Sequence, residues 1–321
     1  MEYVLTDFSE VPDLPAQVLR LQNLAFADYE GAMEVEQPWV EWYLNRPGIA
    51  PEHCQAVLAE DALVSQVICC IQPVRLGTEL FRCAIIDSVA TDPNHRRQGL
   101  ARTLMQRAHD SLRPESIDAV LLYTNPEGHP YSFYRRLGYR ERGRASMLIG
   151  PRPGRSGHGP GPVDAVQHGV ALSNLINRYH AHHEGFSPLS DELWRWHKVD
   201  PPSRPTVIAE LAGSRVAATA SFAPATLRVG GEERDVSVAS DIAATEMTPE
   251  CMKSLLSSAP TELVALLVDD RAPERAVLAE LGLRSELAEV SMVLPFSEAA
   301  EQALEEHVAP WYVMVESVVG V

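Results

Sequence analysis

The stretch that decides the fold is residues 87–105, which read DSVATDPNHRRQGLARTLM. An apolar strand ends near Thr91, a turn follows at Asp92-Pro93-Asn94, and a basic loop with one glycine leads into a helix. Backbone N–H groups at the start of a helix lack partners within the helix and carry partial positive charge, so they bind phosphate. A strand, a basic glycine loop and a helix in this order therefore predict a site for a phosphorylated ligand.

The loop is basic in an acidic chain, which has a net charge of −17. No acid lies between Pro93 and His109, and Gly99 lacks a Cβ where an anion would approach closely. The arginines of this segment are Arg96, Arg97, Arg102 and Arg107. The alternative to a phosphate site is that this segment is only the basic, solvent-exposed start of a helix. The glycine spacing of a dinucleotide fingerprint and the Lys-Ser/Thr pair of a P-loop are both missing from the sequence.

Composition restricts the class of protein. The chain has 321 residues, 45% hydrophobic and 22% charged, which is typical of two folded domains. The acidic balance disfavours nucleic acid and anionic membranes as partners. The sequence has neither an 18-residue apolar run nor a signal-like N-terminus, so we expect a cytoplasmic protein. Five cysteines without a CxxC pair predict free thiols, and we expect no metal.

A Gly/Pro-rich segment near the middle, GPRPGRSGHGPGP over residues 150–162, predicts a linker. We therefore expect domains at 1–150 and 163–321, with the linker at 151–162. The apolar periodicity predicts a first domain of α/β (α+β) class, in which helices cover a mixed central sheet. Its predicted helices are 15–28, 38–44, 99–112 and 131–137, and its predicted strands are 3–5, 55–59, 64–71, 82–90, 119–123 and 144–149.

The second half repeats parts of the first, which predicts an internal duplication. Val57 matches Val207, Asp87 matches Asp241, and Leu137-Gly138-Tyr139 matches 281–283, at separations of 150, 154 and 144 residues. After Thr245 the second copy has no counterpart of the Arg/Gly loop. One working site in a duplicated fold is the expectation.

The segment RRQGLA at 96–101 resembles the pyrophosphate loop of the GNAT acetyltransferase superfamily, with Ala101 in place of the last glycine. Thr124-Asn125 and FYRRLGY at 133–139 resemble the later strand and helix of that family. The resemblance implies two tandem GNAT-like domains, each with a mixed sheet, of which the N-terminal copy is intact and the C-terminal copy is degenerate.

The resemblance also implies the residues that hold acetyl-CoA, the acyl donor. The backbone of Val89, Ala90 and Thr91 would bind the pantetheine arm, and Asn125 would contact the donor from the next strand. Loop and helix residues would hold the pyrophosphate, namely Arg96, Arg97, Gln98, Gly99, Leu100, Ala101 and Arg102.

Transfer to a primary amine by direct attack, through a tetrahedral intermediate, is the implied reaction. Tyr134 would protonate the departing thiolate. Asp87, two residues before Val89 and so on the same strand face, is a candidate base, with the C-terminal carboxylate of Val321 or a water as alternatives. The acids Asp28, Glu30, Glu34, Glu36 and Glu41 suit a small cationic amine, or form a solvated face. A non-catalytic CoA-binding or regulatory module and an aminoacyl-tRNA-dependent transferase are the competing functions, and a homo-oligomer is left open.

Two aromatic and histidine clusters in the second half are interpreted as structural. His180, His182, His183 and Glu184 lie in one short stretch without a distant fourth ligand, so a solvated or interdomain polar face is favoured over a metal site. The second cluster, which we expect to pack a helix in the second domain and not to form an aromatic cage, consists of Trp194, Trp196 and His197.

Overall fold

The computed structural model describes residues 2–27, 35–154, 159–213, 215–229, 231–306 and 309–314. Its strands are β1 (Val4–Asp7), β2 (Gln55–Ala59), β3 (Ala62–Leu76), β4 (Glu79–Thr91), β5 (Ala119–Thr124), β6 (Arg140–Pro151), β7 (Gly161–Pro162), β8 (Thr206–Ala212), β9 (Arg215–Val229), β10 (Glu232–Ala244), β11 (Leu263–Asp269) and β12 (Arg284–Pro295). Its helices are α1 (Leu14–Ala25), α2 (Gln37–Leu44), α3 (Leu100–Leu112), α4 (His129–Arg136), α5 (Gly169–Tyr179), α6 (Asp191–Lys198), α7 (Pro249–Leu256), α8 (Glu274–Glu280) and α9 (Glu298–Glu306).

The two halves share one mixed sheet, in the order β1-β2-β3-β4-β5-β12-β6-β11-β10-β9-β8-β7. Each half gives its last strand to the other, because β12 pairs with β5 and β6 pairs with β11. We expected one sheet in each domain, and the structure differs in this exchange. The exchange leaves only the short strands β1 and β7 at sheet edges, which limits unpaired backbone.

If β7 to β12 are numbered one to six, like β1 to β6, the order of the strands is the same from either edge of the sheet. The fold is therefore duplicated. The hairpin pairs Leu76–Glu79 and Val229–Glu232 are equivalent, at a separation of 153 residues rather than the 150 and 154 that the sequence suggested. Beyond the Arg/Gly loop, equivalent residues of the two halves are separated by 144 positions. Gly138 and Gly282 are one such pair, because their φ values match at 97° and 93°. The second half is therefore shorter between β10 and β11, where the Arg/Gly loop would lie.

The halves also meet through their helices. The indoles of Trp42 on α2 and Trp196 on α6 stack with centroids 4.1 Å apart and an interplanar angle of 1°. Each indole N–H donates to the other residue's carbonyl at 2.8 Å. We expected Trp196 to pack a helix in the second domain, and it instead stacks on α2 of the first half.

Candidate functional site

A cleft opens in the sheet between β4 and β5. These parallel strands pair only from Cys83–Ala119 to Ile85–Leu121, while β4 runs on to Thr91 and β5 to Thr124. Beyond Ile85 the strands part, so backbone that would otherwise form the ladder faces an open space between them. A cleft of this kind can bind an extended ligand along its strand edges.

A β-bulge lies at the mouth of the cleft. Ser88 has φ 46°, and the register of β3 against β4 shifts there, so Ser88 and Val89 together face Val67. A bulge adds one residue to the alternation, so Val89 falls out of phase with Asp87. The expectation that these two side chains share a strand face is therefore wrong.

The carboxylate of Asp87 is held from two sides. Its Oδ2 accepts from the hydroxyl of Tyr43 on α2 at 2.6 Å, and its Oδ1 accepts from the Ser88 N–H at 2.9 Å. Burial and the neighbouring Asp87 raise the pKa of Tyr43 well above its usual value, so the phenol stays protonated as the donor. Ser88 turns the other way and accepts from Gln22 of α1 at 2.6 Å.

The basic loop ends in an open helix terminus. Arg97 and Gly99 both have left-handed backbone, with φ 64° and 79°. Gly99 is the N-cap of α3, and no side chain of the described residues caps that helix. The first helical bond runs from the Thr103 N–H to the Gly99 carbonyl, which leaves the N–H groups of Leu100, Ala101 and Arg102 directed outward. A Cβ built on Gly99 would meet no described atom within 4 Å.

The loop is fixed by contacts behind this open terminus. The Arg96 guanidinium donates to the carbonyls of Thr91 at 3.3 Å and Ala25 at 2.9 Å, which ties the loop to β4 and the end of α1. The Asp92 carboxylate accepts from the Asn94 N–H at 2.9 Å and closes the turn. Gln98 and Arg102 are exposed, with Arg97 and Gly99. The loop is thus preorganised, with its positive charge toward solvent.

A cavity in the second half has a lining whose counterparts in the first half can be identified. In the second half a cavity is lined by Ser240, Asp241 and Ile242, by the end of β11, and by Leu278 of α8. The strand registers and turn bonds give their counterparts in the first half. These counterparts are Asp87, Ser88, Val89, the end of β5 through Asn125, and Tyr134. Asp241 is thus equivalent to Ser88 and not, as the sequence suggested, to Asp87.

Tyr134 lies on α4, and Asn125 follows the end of β5. Tyr134 is buried in the core that α3 and α4 form on the sheet, beside Phe133 and Tyr139. Asn125 follows β5, and its side-chain oxygen accepts from the Glu127 N–H at 2.8 Å. The carbonyl of Ala90 accepts from the Ser65 hydroxyl at 3.0 Å, so this part of β4 is firmly held.

Comparison with known proteins decides the family of the first half. Residues 13–142 match the family described as Acetyltransferase (GNAT) domain. The first half of this chain is similar to a GNAT domain. A GCN5-related N-acetyltransferase from Anabaena variabilis has a similar fold, with 15% identity, a TM-score of 0.67, and coverage of 93% of this chain and 74% of that one. A probable N-acyltransferase of unknown function from Enterococcus faecalis has 13% identity, a TM-score of 0.65, and coverage of 92% and 72%. No curated protein matches the chain.

The second half differs from the first at the start of the helix that corresponds to α3. Thr248 caps α7, because its hydroxyl accepts from the Cys251 N–H at 3.1 Å, and Glu250 occupies the first turn. The remaining cavity holds about 100 Å³. Asp241 is engaged there by Lys198 at 2.5 Å and by the hydroxyl of Tyr312 at 3.0 Å.

The histidine cluster of the second half lies inside the protein. His180, His183 and Glu184 are buried, so the expected solvated face is wrong, whereas Glu184 does bridge the halves by binding Arg142 of β6 at 2.8 Å. Burial lowers the pKa of His180 to about 3 and that of His183 to about 4, so both are neutral. Within the described ranges, no group of three or more His, Cys, Asp or Glu side chains could hold a metal ion.

Several sequence predictions concern residues with little or no structural description. Asp28, Glu30, Glu34 and Val321 lie outside the described residues, whereas Glu36 and Glu41 are exposed around α2. No described helix is long and apolar enough to cross a membrane. The sequence reasoning missed Glu289 on β12, although an acid in the apolar run LAEVSMVL over 287–294 was a visible signal.

Proposed function

We propose that the chain is a CoA-dependent N-acyltransferase whose GNAT domain moves an acyl group from acyl-CoA to a primary amine. One observation carries the proposal: the uncapped N-terminus of α3, with open space before Gly99, lies directly after the strand that borders the cleft. A pyrophosphate at this terminus would continue into a pantetheine arm along β4. The cleft and the phosphate site then form one elongated donor site.

The donor would be held mainly by backbone. The N–H groups of Leu100, Ala101 and Arg102 would bind the pyrophosphate, and Arg97 and Arg102 would add positive charge. The parted edge of β4 at Val89 to Thr91 would bind the pantetheine amides. Asn125 would contact the arm from the β5 side.

The chemistry would use side chains at the inner end of the cleft. The amine nitrogen attacks the thioester carbonyl, a C–N bond forms, and collapse of the tetrahedral intermediate breaks the C–S bond. Tyr134 would protonate the departing thiolate and regain a proton from solvent, to which Asp87 would release the proton that it takes from the amine nitrogen. Asp87, fixed by Tyr43 and the bulge, is our candidate for receiving a proton from the attacking amine.

The second half would support the acyl-transfer site of the first half and would not bind a second acyl-CoA. A capped α7 with an acid in its first turn opposes a phosphate. Leu278 stands where the first half has Tyr134, so the proposed acid is missing as well. One acyl-CoA per chain follows from these differences.

The test is a transfer assay. Acetyl-CoA is mixed with the full chain and with spermidine, an aminoglycoside, L-lysine or a peptide with a free N-terminus, and released thiol is followed together with the mass of the acceptor. Acetylation of at least one amine supports the proposal. CoA binding without transfer to any amine, with acyl-CoA donors of several chain lengths, would instead favour the non-catalytic CoA-binding module.

A further inference from the structure

The exchange of last strands brings a carboxyl of the second half to the GNAT cleft. On β12, Val290 pairs with Thr124, the last residue of β5. Glu289 precedes Val290 and pairs with Ala145 of β6. Because β12 and β5 are antiparallel, Glu289 lies beside Asn125, the residue that follows Thr124. Residues of β12 before Val290 thus border the space that opens where β5 ends.

The face of the sheet on which Glu289 lies follows from strand alternation. Cys83 and Ile85 of β4, Ala145 of β6 and Val293 of β12 belong to one core cluster. Alternation back from Val293 places Glu289 on that face, and alternation forward from Ile85 places Asp87 there, since the bulge begins only at Ser88. The two carboxyls therefore flank the cleft on the face opposite α3 and α4, roughly 10 Å or more apart by strand spacing.

Glu289 is buried without a cation. Its side chain is 9% exposed, and it has no hydrogen-bond or salt-bridge partner among the described residues. Burial alone raises the pKa of Glu289 to about 8. A buried carboxyl that lacks a counter-ion is costly, and such groups are concentrated at binding sites.

No basic side chain of the described residues on this face is close enough to pair with Glu289. Tyr123 on β5 accepts from the indole N–H of Trp311 at 3.3 Å, and Trp311 packs against Gly143 of β6. Three other carboxylates on this side are already engaged by neighbouring groups. They are Asp269 with Arg271, Glu184 with Arg142, and Asp87 with its donors Tyr43 and Ser88.

We propose that Glu289 is the anchor for the ammonium group of the acceptor, a specificity-determining residue that the second half contributes to the acyl-transfer site. The inference rests on the proposed function and names its acceptor class, a cationic amine. An ammonium ion is the counter-ion that this carboxyl lacks. The second half would then be retained because its last strand completes the acceptor site.

If Glu289 anchors the ammonium group, binding of the amine releases a proton from Glu289. At pH 7 the carboxyl of Glu289 is largely protonated, since its pKa is about 8. An arriving ammonium favours the carboxylate, so the acid gives one proton to the solvent as the ion pair forms. The anchored nitrogen is a second amine of the acceptor or the reacting one before it loses its proton. In a Gln variant no proton can be released from this position.

The first experiment compares Glu289→Gln with Glu286→Gln, an exposed acid three residues earlier on the same strand. The acceptor is whichever amine of the transfer assay gives the highest kcat/KM. We expect KM for the amine to rise about tenfold or more in Glu289→Gln, with the KM for acetyl-CoA unchanged and kcat altered less. The Glu286→Gln variant should match the parent. An amine KM within twofold of the parent would overturn the proposal.

The second experiment measures protons directly. The same amine is titrated calorimetrically into the parent saturated with CoA, at pH 7, in two buffers of different ionisation enthalpy. Release of close to one proton in the parent and of none in Glu289→Gln is expected. Equal release in both proteins would overturn the anchor while leaving the acyl transfer intact. A parent that acylates no amine would overturn the proposed function and the role of Glu289 with it.

Discussion

The hydroxyl of Tyr134 distinguishes the proposed acyltransferase from a protein that only binds CoA. Replacing Tyr134 by Phe keeps the aromatic packing against Phe133 and Tyr139. If the hydroxyl protonates the thiolate, kcat should fall by about 10²-fold or more while the affinity for CoA stays the same. Steady-state kinetics and calorimetry of CoA binding provide the measurements.

Tyr131 on the same helix provides the matched control for Tyr134. Its hydroxyl donates to Glu141 Oε2 at 2.8 Å, away from the cleft. Tyr131→Phe should therefore leave kcat close to the parent value. A kcat for Tyr134→Phe within threefold of the parent would mean that Tyr134 only packs.

Single residues also show what the sequence could not reveal. The left-handed φ of Ser88 makes the bulge, yet serine is not a residue that signals positive φ. Without the bulge, the alternation of Asp87 and Val89 was misread, and Asp241 was aligned with the wrong residue. Gly99, in contrast, was recognised because glycine in a basic loop before a helix has a direct physical interpretation.

Between elements, the contact of α6 with β10 depends on one buried ion pair. Burial would raise the pKa of Asp241, but Lys198 at 2.5 Å outweighs it and lowers the pKa to about 2. Lys198→Met would leave the carboxylate without its cation, so we expect a loss of about 3–5 kcal/mol in the free energy of unfolding. Urea denaturation at pH 7 measures this loss.

The pair also predicts a pH dependence and a rescue. The folded-state pKa of Asp241 is depressed, so its contribution is present above about pH 4 and is lost as the pH falls toward 2. Adding Asp241→Asn to Lys198→Met should recover much of the stability, since Asn tolerates the φ of 52° at this position. Equal stability of Lys198→Met and the parent at pH 7 would contradict this account.

The elements themselves were largely predictable. Strand β2 has the predicted bounds, and the predicted helix at 99–112 differs from α3 by one residue. Strands β3 and β4 are longer than predicted because their hairpin extends past the apolar segments. The exchange of β6 and β12 was not predictable, since both are apolar strands and local pattern does not specify which β5-like strand each will join.

For the whole molecule, the exchange predicts cooperative unfolding. Each half supplies a central strand to the other, and the Trp42–Trp196 stack adds a second contact between the halves. Calorimetry should show one transition for the full chain, and residues 163–321 alone should lack a folded state because β11 would miss β6. Two separate transitions, or a cooperative fold in the isolated second half, would contradict the shared sheet.

The central claim for the whole molecule is that one acyl-CoA binds per chain, at the start of α3. The most direct measurement is calorimetric titration of CoA into the parent, into Gly99→Glu and into Gly213→Glu. Gly213 is the matched control, because it also has positive φ, at 65°, and has no described atom within 4 Å of a built Cβ. The account predicts one site in the parent and in Gly213→Glu, and loss of most of the affinity in Gly99→Glu. Unchanged affinity in Gly99→Glu, or two sites in the parent, would contradict it.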